Sequence, residues 1–238
     1  DTQEVVVAEI AAGAIPGVDR LSCISLLKFF DKSAQLAYDN FFNVPAPPPA
    51  PKITASEFDK EIVLVWGSDG AAVAATENSN SSGFLFQGYN VYQLPSASAS
   101  REQAKRIATY DLVDGVGIIK DQTFDSNTGA LVEQVAQVGG DQGISRNIDI
   151  KSDAIRGGVP LINGIRYYFA VTAYSYNSDP NVVPNNLETP IAIITVVPHM
   201  PDPGVRYLGT GGTSLPTNHT AVGGPLSDGF IDPIVIDP

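Results

Sequence analysis

Few side chains in this sequence could do chemistry. It has two histidines, His199 and His219, one cysteine, Cys23, and 26 acidic side chains against 14 basic ones. His199 stands in PHMPDP and His219 in TNHTAV, and neither has the spacing to a second His or Cys that a zinc site uses. A solvated loop histidine accounts for each. Cys23 lies in the apolar run LSCISLL, where a small buried residue is expected rather than a reactive thiol. There is no Gly-x-Ser-x-Gly elbow, and GTGGTS at 209–214 lacks the lysine and the following helix of a phosphate loop. Catalysis needs a nucleophile with a base and an orienting partner, or a metal. Any two of the carboxylates could approach one another, but nothing singles a pair out, so the chain is expected not to be an enzyme and to hold no cofactor.

Calcium is the one ion for which ligand types recur at short spacing. Asp121, Asp125 and Asn127 lie in DQTFDSNTG, but the twelve-residue loop of an EF-hand ends in Glu, and counting from Asp125 that place holds Ala136. A polar turn explains the same residues without an ion. The aromatics Phe84, Phe86, Tyr89, Tyr92, Tyr174 and Tyr176 invite a carbohydrate-platform reading. Alternating strands must turn about half of such side chains inward, so packing in a core is expected for them.

The elements that would position these residues follow from patterning. A net charge of −12 argues against partners such as nucleic acid or anionic lipid, which need clustered Lys and Arg. No apolar run reaches the 18 residues of a membrane span. One cysteine excludes a disulfide framework. Residues 4–10 (EVVVAEI) read as a strand, and Leu21, Ile24, Leu27, Phe30, Ala34, Ala37 and Phe41 make one apolar face of a helix or a broken helix pair. PAPPPAP at 45–51 is extended and semi-rigid, a spacer. Strands are expected at 53–56, 61–66, 84–94, 107–112, 118–124, 131–138, 144–150, 167–176 and 191–197. Residues 68–83 read as a loop, and 100–108 as a short helix opened by a Ser100/Gln103 capping box.

This order resembles a fibronectin type III domain across 51–198. The motif Leu-x-Pro-Gly-x-x-Tyr followed by x-Phe-x-Val-x-Ala falls on Leu161, Gly164, Tyr167, Phe169, Val171 and Ala173, with Asn163 in place of the usual Pro. Gly164 suits a tight turn, Leu161 plugs the end of the core, and Tyr167 can form a tyrosine corner with a nearby backbone group. Trp66, closing EIVLVW, would lie between the two sheets. The expected fold is therefore mainly β, an immunoglobulin-like type III sandwich with a long insertion at about 95–160. Such a module takes about 100 residues, whereas this one spans 148 positions, 51 to 198. The implied division is an N-terminal strand and helical arm (1–44), the proline spacer (45–51), the sandwich (52–198), and a Pro/Gly-rich tail opening a further β segment (199–238).

The whole order also looks like the late portion of large bacterial proteins exported by the type IX route. That similarity implies a secreted or cell-surface setting and reads the chain as a fragment or processed product. The expected function is a non-enzymatic structural or adhesive module, with copies of itself or neighbouring domains of the same protein as partners. Val5, Val6 and Val7 at one end and Ile231, Ile234 and Val235 at the other belong to strands without a place in a seven-strand sandwich. An unpaired strand seeks an edge, so filament assembly by strand exchange follows. The alternative is a carbohydrate- or protein-binding accessory module of a larger exported enzyme, with glycan as ligand.

Overall fold

The computed structural model describes residues 44–125, 130–180 and 182–200, together with Leu21, Ile24, Leu27, Lys28, Asp31, Gln35 and Tyr38, which are helical. Val5, Val6, Val7, Cys23, Asn127, His219, Ile231, Ile234 and Val235 lie outside the described residues. In chain order the strands are β1 (Thr54–Phe58), β2 (Glu61–Val65), β3 (Asn80–Ser81), β4 (Phe84–Leu94), β5 (Lys105–Asp111), β6 (Ile118–Asp125), β7 (Ala130–Val138), β8 (Asn147–Ile150), β9 (Ser152–Asp153), β10 (Val159–Pro160), β11 (Tyr167–Tyr176), β12 (Asn186–Glu188) and β13 (Ile194–Val196), with helix α1 (Gly70–Glu77) between β2 and β3.

The fold is mainly β and antiparallel. Of the two larger sheets one is ordered β1-β2-β8 and the other β12-β11-β4-β3, with β13 also on β11 and β5 also on β4; β9–β10 and β6–β7 form two-stranded sheets of their own. The alternation of EIVLV puts Ile62 and Leu64 on one face of β2, and Ile150 joins them from β8. Across from them Phe86, Tyr89 and Val91 of β4 meet Tyr167, Phe169, Val171 and Ala173 of β11, so the two sheets share one core. A register shift between Tyr174 and Ser175 leaves Gln87 as the extra residue on β4, a bulge beside Gly88.

β4 and β11 are buried on both faces, unlike strands of a sandwich with one wet side. Opposite the shared core, Asn90, Tyr92, Leu94, Ala170, Thr172 and Tyr174 are also buried. Tyr92, Leu94 and Ala170 form a second small core under Ala99, Ala104, Ile191 and Ile193. Over Asn90 and Tyr174 the cover comes from the base of the β6–β7 hairpin and the loops that flank it, and Thr172 is met by Glu188 of β12.

Several local expectations are corrected. The Asn/Ser-rich stretch 68–83 contains α1: Asp69 caps it by accepting from the N–H groups of Ala71 and Ala72, and the run GAAVAATE supplies strong helix formers. The capping box at Ser100 and Gln103 is present, but it opens only the 3-10 turn Arg101–Gln103, because the chain from Lys105 onward pairs with β4. The strand expected at 191–197 is shortened to β13, and β12, which no expectation covered, pairs with β11 upstream of Pro190. The proline stretch is fastened to the sandwich. Pro48 is buried and its carbonyl accepts from Thr189 Oγ1 (3.2 Å), while the Pro49 carbonyl accepts from Thr76 Oγ1 (3.1 Å).

Candidate functional site

The frame around the core is set by four residues. Trp66 is 1% exposed and its ring meets Tyr89 and Tyr110, both at 5.8 Å between centroids. Leu161 is equally buried in the same core. Gly164 sits at φ +80°, the left-handed region that favours glycine, and its N–H donates to the Pro198 carbonyl (2.8 Å). Tyr167 is buried, and its hydroxyl accepts from the Ile162 N–H at 2.9 Å, closing the corner that leads into β11.

The buried polar groups on the outer face of the β4–β11 sheet bond to one another. Tyr174 donates to Asp111 Oδ1 at 2.6 Å, and the Asp141 N–H donates to Asp111 Oδ2 at 3.1 Å. Asp111 is fully buried at the end of β5. A Cβ on Gly139 would lie 2.0 Å from Asp111 Oδ2, so only glycine allows the loop to close on this carboxylate. Burial pushes the Asp111 carboxyl above its ordinary value; the bonds from Tyr174 and Asp141 N–H oppose this, and the carboxylates of Asp114 and Asp141 add to it. Burial, then the Asp111 carboxylate, drives the Tyr174 hydroxyl far above the usual tyrosine range.

Beside this pair, Asn90 and Gln137 exchange amide hydrogen bonds, and Arg106 donates to Gln137 Oε1 at 2.9 Å. Glu188 then gathers donors from Asn90 (3.0 Å), Tyr92 (2.9 Å), Thr172 and Arg101. The Arg101 guanidinium lies 4.2 Å above the Tyr92 ring. Burial and the Glu188 charge push the Tyr92 hydroxyl up to about 12. Arg101 and Glu188 border a cleft of about 430 Å³ whose apolar side is Ile191 and Ile193.

At the edge of the sandwich, Arg146 holds Glu77 by a two-pronged bond, 2.7 Å from each nitrogen, and Tyr89 donates to the same carboxylate at 3.0 Å. Glu77 lies well below its ordinary value chiefly because of Arg146, against the opposing effect of burial. This pair ties the end of α1 to the chain entering β8. Asp111, Gln137, Glu188 and Arg146 carried no sequence signal as a group, since Tyr174, Asn90 and Glu77, to which they bond, lie 47 to 98 positions away from them.

The residues singled out in the sequence do not gather into one site. His199 is 54% exposed at its side chain and stands 3.6 Å from Glu57 of β1. Asp121 and Asp125 are four residues apart on β6, about 13 Å at roughly 3.3 Å per residue. One calcium ion with ligands at about 2.5 Å cannot take both from an extended strand. Asp121 instead accepts from its neighbour Gln122 N–H and from Asn185 N–H. Phe84, Phe86, Tyr89, Tyr92 and Tyr174 are buried and Tyr176 half-buried, so they form no exposed aromatic row. No helix among the described residues is long and apolar enough to cross a membrane. Comparison with protein-family models, curated proteins and solved structures finds no match.

Proposed function

We propose that this chain is a non-enzymatic structural or adhesive module of the cell surface or extracellular space, built as an expanded type III sandwich and joined to copies of itself by strand exchange. One observation carries the reading: the buried groups best suited to chemistry are bonded to one another across the fold. Asp111 is held by Tyr174, Glu188 by Asn90, Tyr92, Thr172 and Arg101, and Asn90 by Gln137. Such pairing fixes a shape rather than exposing a reactive centre.

The strand order supports the sandwich class. In this reading β1, β2 and β8 correspond to strands A, B and E, and β4, β11 and β12 with β13 to C, F and G. The Leu161–Tyr167 corner sits where the type III motif lies in the sequence. Assembly has an available template, because among the described strands β5 pairs only with β4. The segments around Val5–Val6–Val7 and around Ile231, Ile234 and Val235 are the donors in this reading, with the helical segment before the prolines as an arm. Export by the type IX route belongs to the same proposal and rests on the resemblance of the whole chain.

A binding role for the cleft at Arg101, Glu188, Ile191 and Ile193 is the second reading. Light scattering and negative-stain microscopy of the full chain test the first, and a glycan array with the Arg101→Ala variant tests the second.

A further inference from the structure

We propose that the β6–β7 hairpin, with the adjoining loop residues 113–117 and 139–143, opens from the sheet as one flap, and that Asp111 is its latch. Between residues 113 and 143 the seat of this flap is polar, while Leu112 and Ile144 at the ends of the flanking loops pack on the main apolar core and stay with it. Gln137 bonds to Asn90 and Arg106, the N–H groups of Asp141 and Gly143 donate to Asp111, Gln87 donates to Asp114, and Asn185 bonds to Lys120 and Asp121. Ile119 is buried beneath the hairpin but belongs to neither apolar core. Elsewhere the ribbon faces water: along β7 Gln137 is the one fully buried residue, and Ile118, Leu131, Val135 and Val138 are exposed.

A two-stranded ribbon is marginal by itself, and its attachment sets how often it opens. Each polar bond in the seat contributes little net free energy, because water replaces it on opening. The sandwich beneath keeps its own apolar core through that event, so the flap opens without the two sheets unfolding.

Asp111 makes opening respond to pH. The groups facing it are Tyr174 from β11, Asp114 from the loop after β5, Asp141 from the loop before β8, and Arg106 of β5, which acts through Tyr174. When closed, burial raises the carboxyl above its ordinary value; when open, water surrounds it and that value returns. Protonated Asp111 therefore favours the closed flap. The latch is fully engaged below about 3.8 and weakens as pH rises through the raised value, above which opening levels off.

Hydrogen exchange of the full chain, followed by mass spectrometry from pH 3.5 to 7.5 and corrected for the intrinsic rate, tests this. Amides of 118–125 and 130–143 are expected to exchange as one unit, faster than those of β4 and β11. Their opening constant should climb with pH by at most tenfold per unit, the limit for one proton. Asp111→Asn should flatten that climb. Tyr174→Phe, which removes a bond that holds the Asp111 carboxyl down, should extend the climb to higher pH, so the two variants move in opposite directions. Hairpin amides as protected as those of β2 and β8, or the same pH profile in the parent and both variants, would overturn the proposal.

Discussion

Asn90 and Gln137, 47 positions apart, exchange both amide hydrogen bonds: Gln137 Nε2 donates to Asn90 Oδ1 at 2.8 Å, and Asn90 Nδ2 donates to Gln137 Oε1 at 3.2 Å. Asn90 is fully buried in the middle of β4 and Gln137 is 3% exposed near the end of β7. The pair is thus a stitch between β4 and the β6–β7 hairpin. Removing Gln137 takes an acceptor from one Asn90 amide hydrogen and from Arg106, while Thr109 and Glu188 still hold Asn90, so the cost is about 1 kcal/mol. Gln137→Ala is expected to lower the unfolding free energy by that amount, read as a lower urea midpoint with an unchanged slope. A change within experimental error would mean that water already supplies these bonds.

The edge pair Glu77–Arg146 should govern part of the acid limb of stability. Because the folded chain holds the Glu77 carboxyl below its ordinary value, its contribution is present above pH 4.5 and fades as pH falls through the lowered value. Arg146 is 43% exposed at its side chain, so solvent limits the pair to about 1 kcal/mol. Glu77→Gln should be less stable than the parent at neutral pH, and the two should converge in acid. Denaturant midpoints measured between pH 3 and 7 check this, and parallel curves would contradict it.

Tyr167 anchors the turn before β11 through one bond, from the Ile162 N–H to its hydroxyl. Tyr167→Phe keeps the ring in the core and removes only the acceptor. The half-buried donor can recover water in part, so a loss of about 1 kcal/mol is expected, at the low end for an unmet donor. Equilibrium unfolding measures it; a variant as stable as the parent would show that the corner is held by Leu161 and Gly164 alone.

The two longest central strands were legible from alternation alone: 84–94 and 167–176 match β4 and β11 residue for residue. Leu161, Gly164 and Tyr167 were legible as a corner because the motif is local. Three features were not. The helix α1 is hidden in loop-like composition, since Asn78, Asn80, Ser79, Ser81 and Ser82 follow the short alanine run directly. The turn at Arg101 carries a helical start, but pairing of Lys105 onward with β4 overrides local propensity. Burial of both faces of β4 and β11 had no local mark, because the partners of Asn90, Thr172 and Tyr174 arrive from the insertion and from β12. A half-buried strand and a fully buried one read alike when the second face carries Tyr, Ala and Thr.

The outer-face network also bears on where assembly would occur. Glu188 is 16% exposed at its side chain and engaged by four donors, which leaves that end of the sheet closed by side chains. β5 is different, with a backbone edge along seven residues and Gly143 bridging only its last one. Lys105 and Arg106 on that edge suit donor segments whose flanking charges are acidic, as Glu4, Glu9, Asp228, Asp232 and Asp237 are.

The central claim, a structural module that joins copies of itself, is tested most directly by sedimentation velocity of the full chain across a hundredfold range of concentration, with electron microscopy of the same samples. The expected result is growth into large species and visible filaments, reduced when Val6→Pro or Ile234→Pro removes a donor N–H. A single 25.1 kDa species at every concentration, with no filaments, would contradict it.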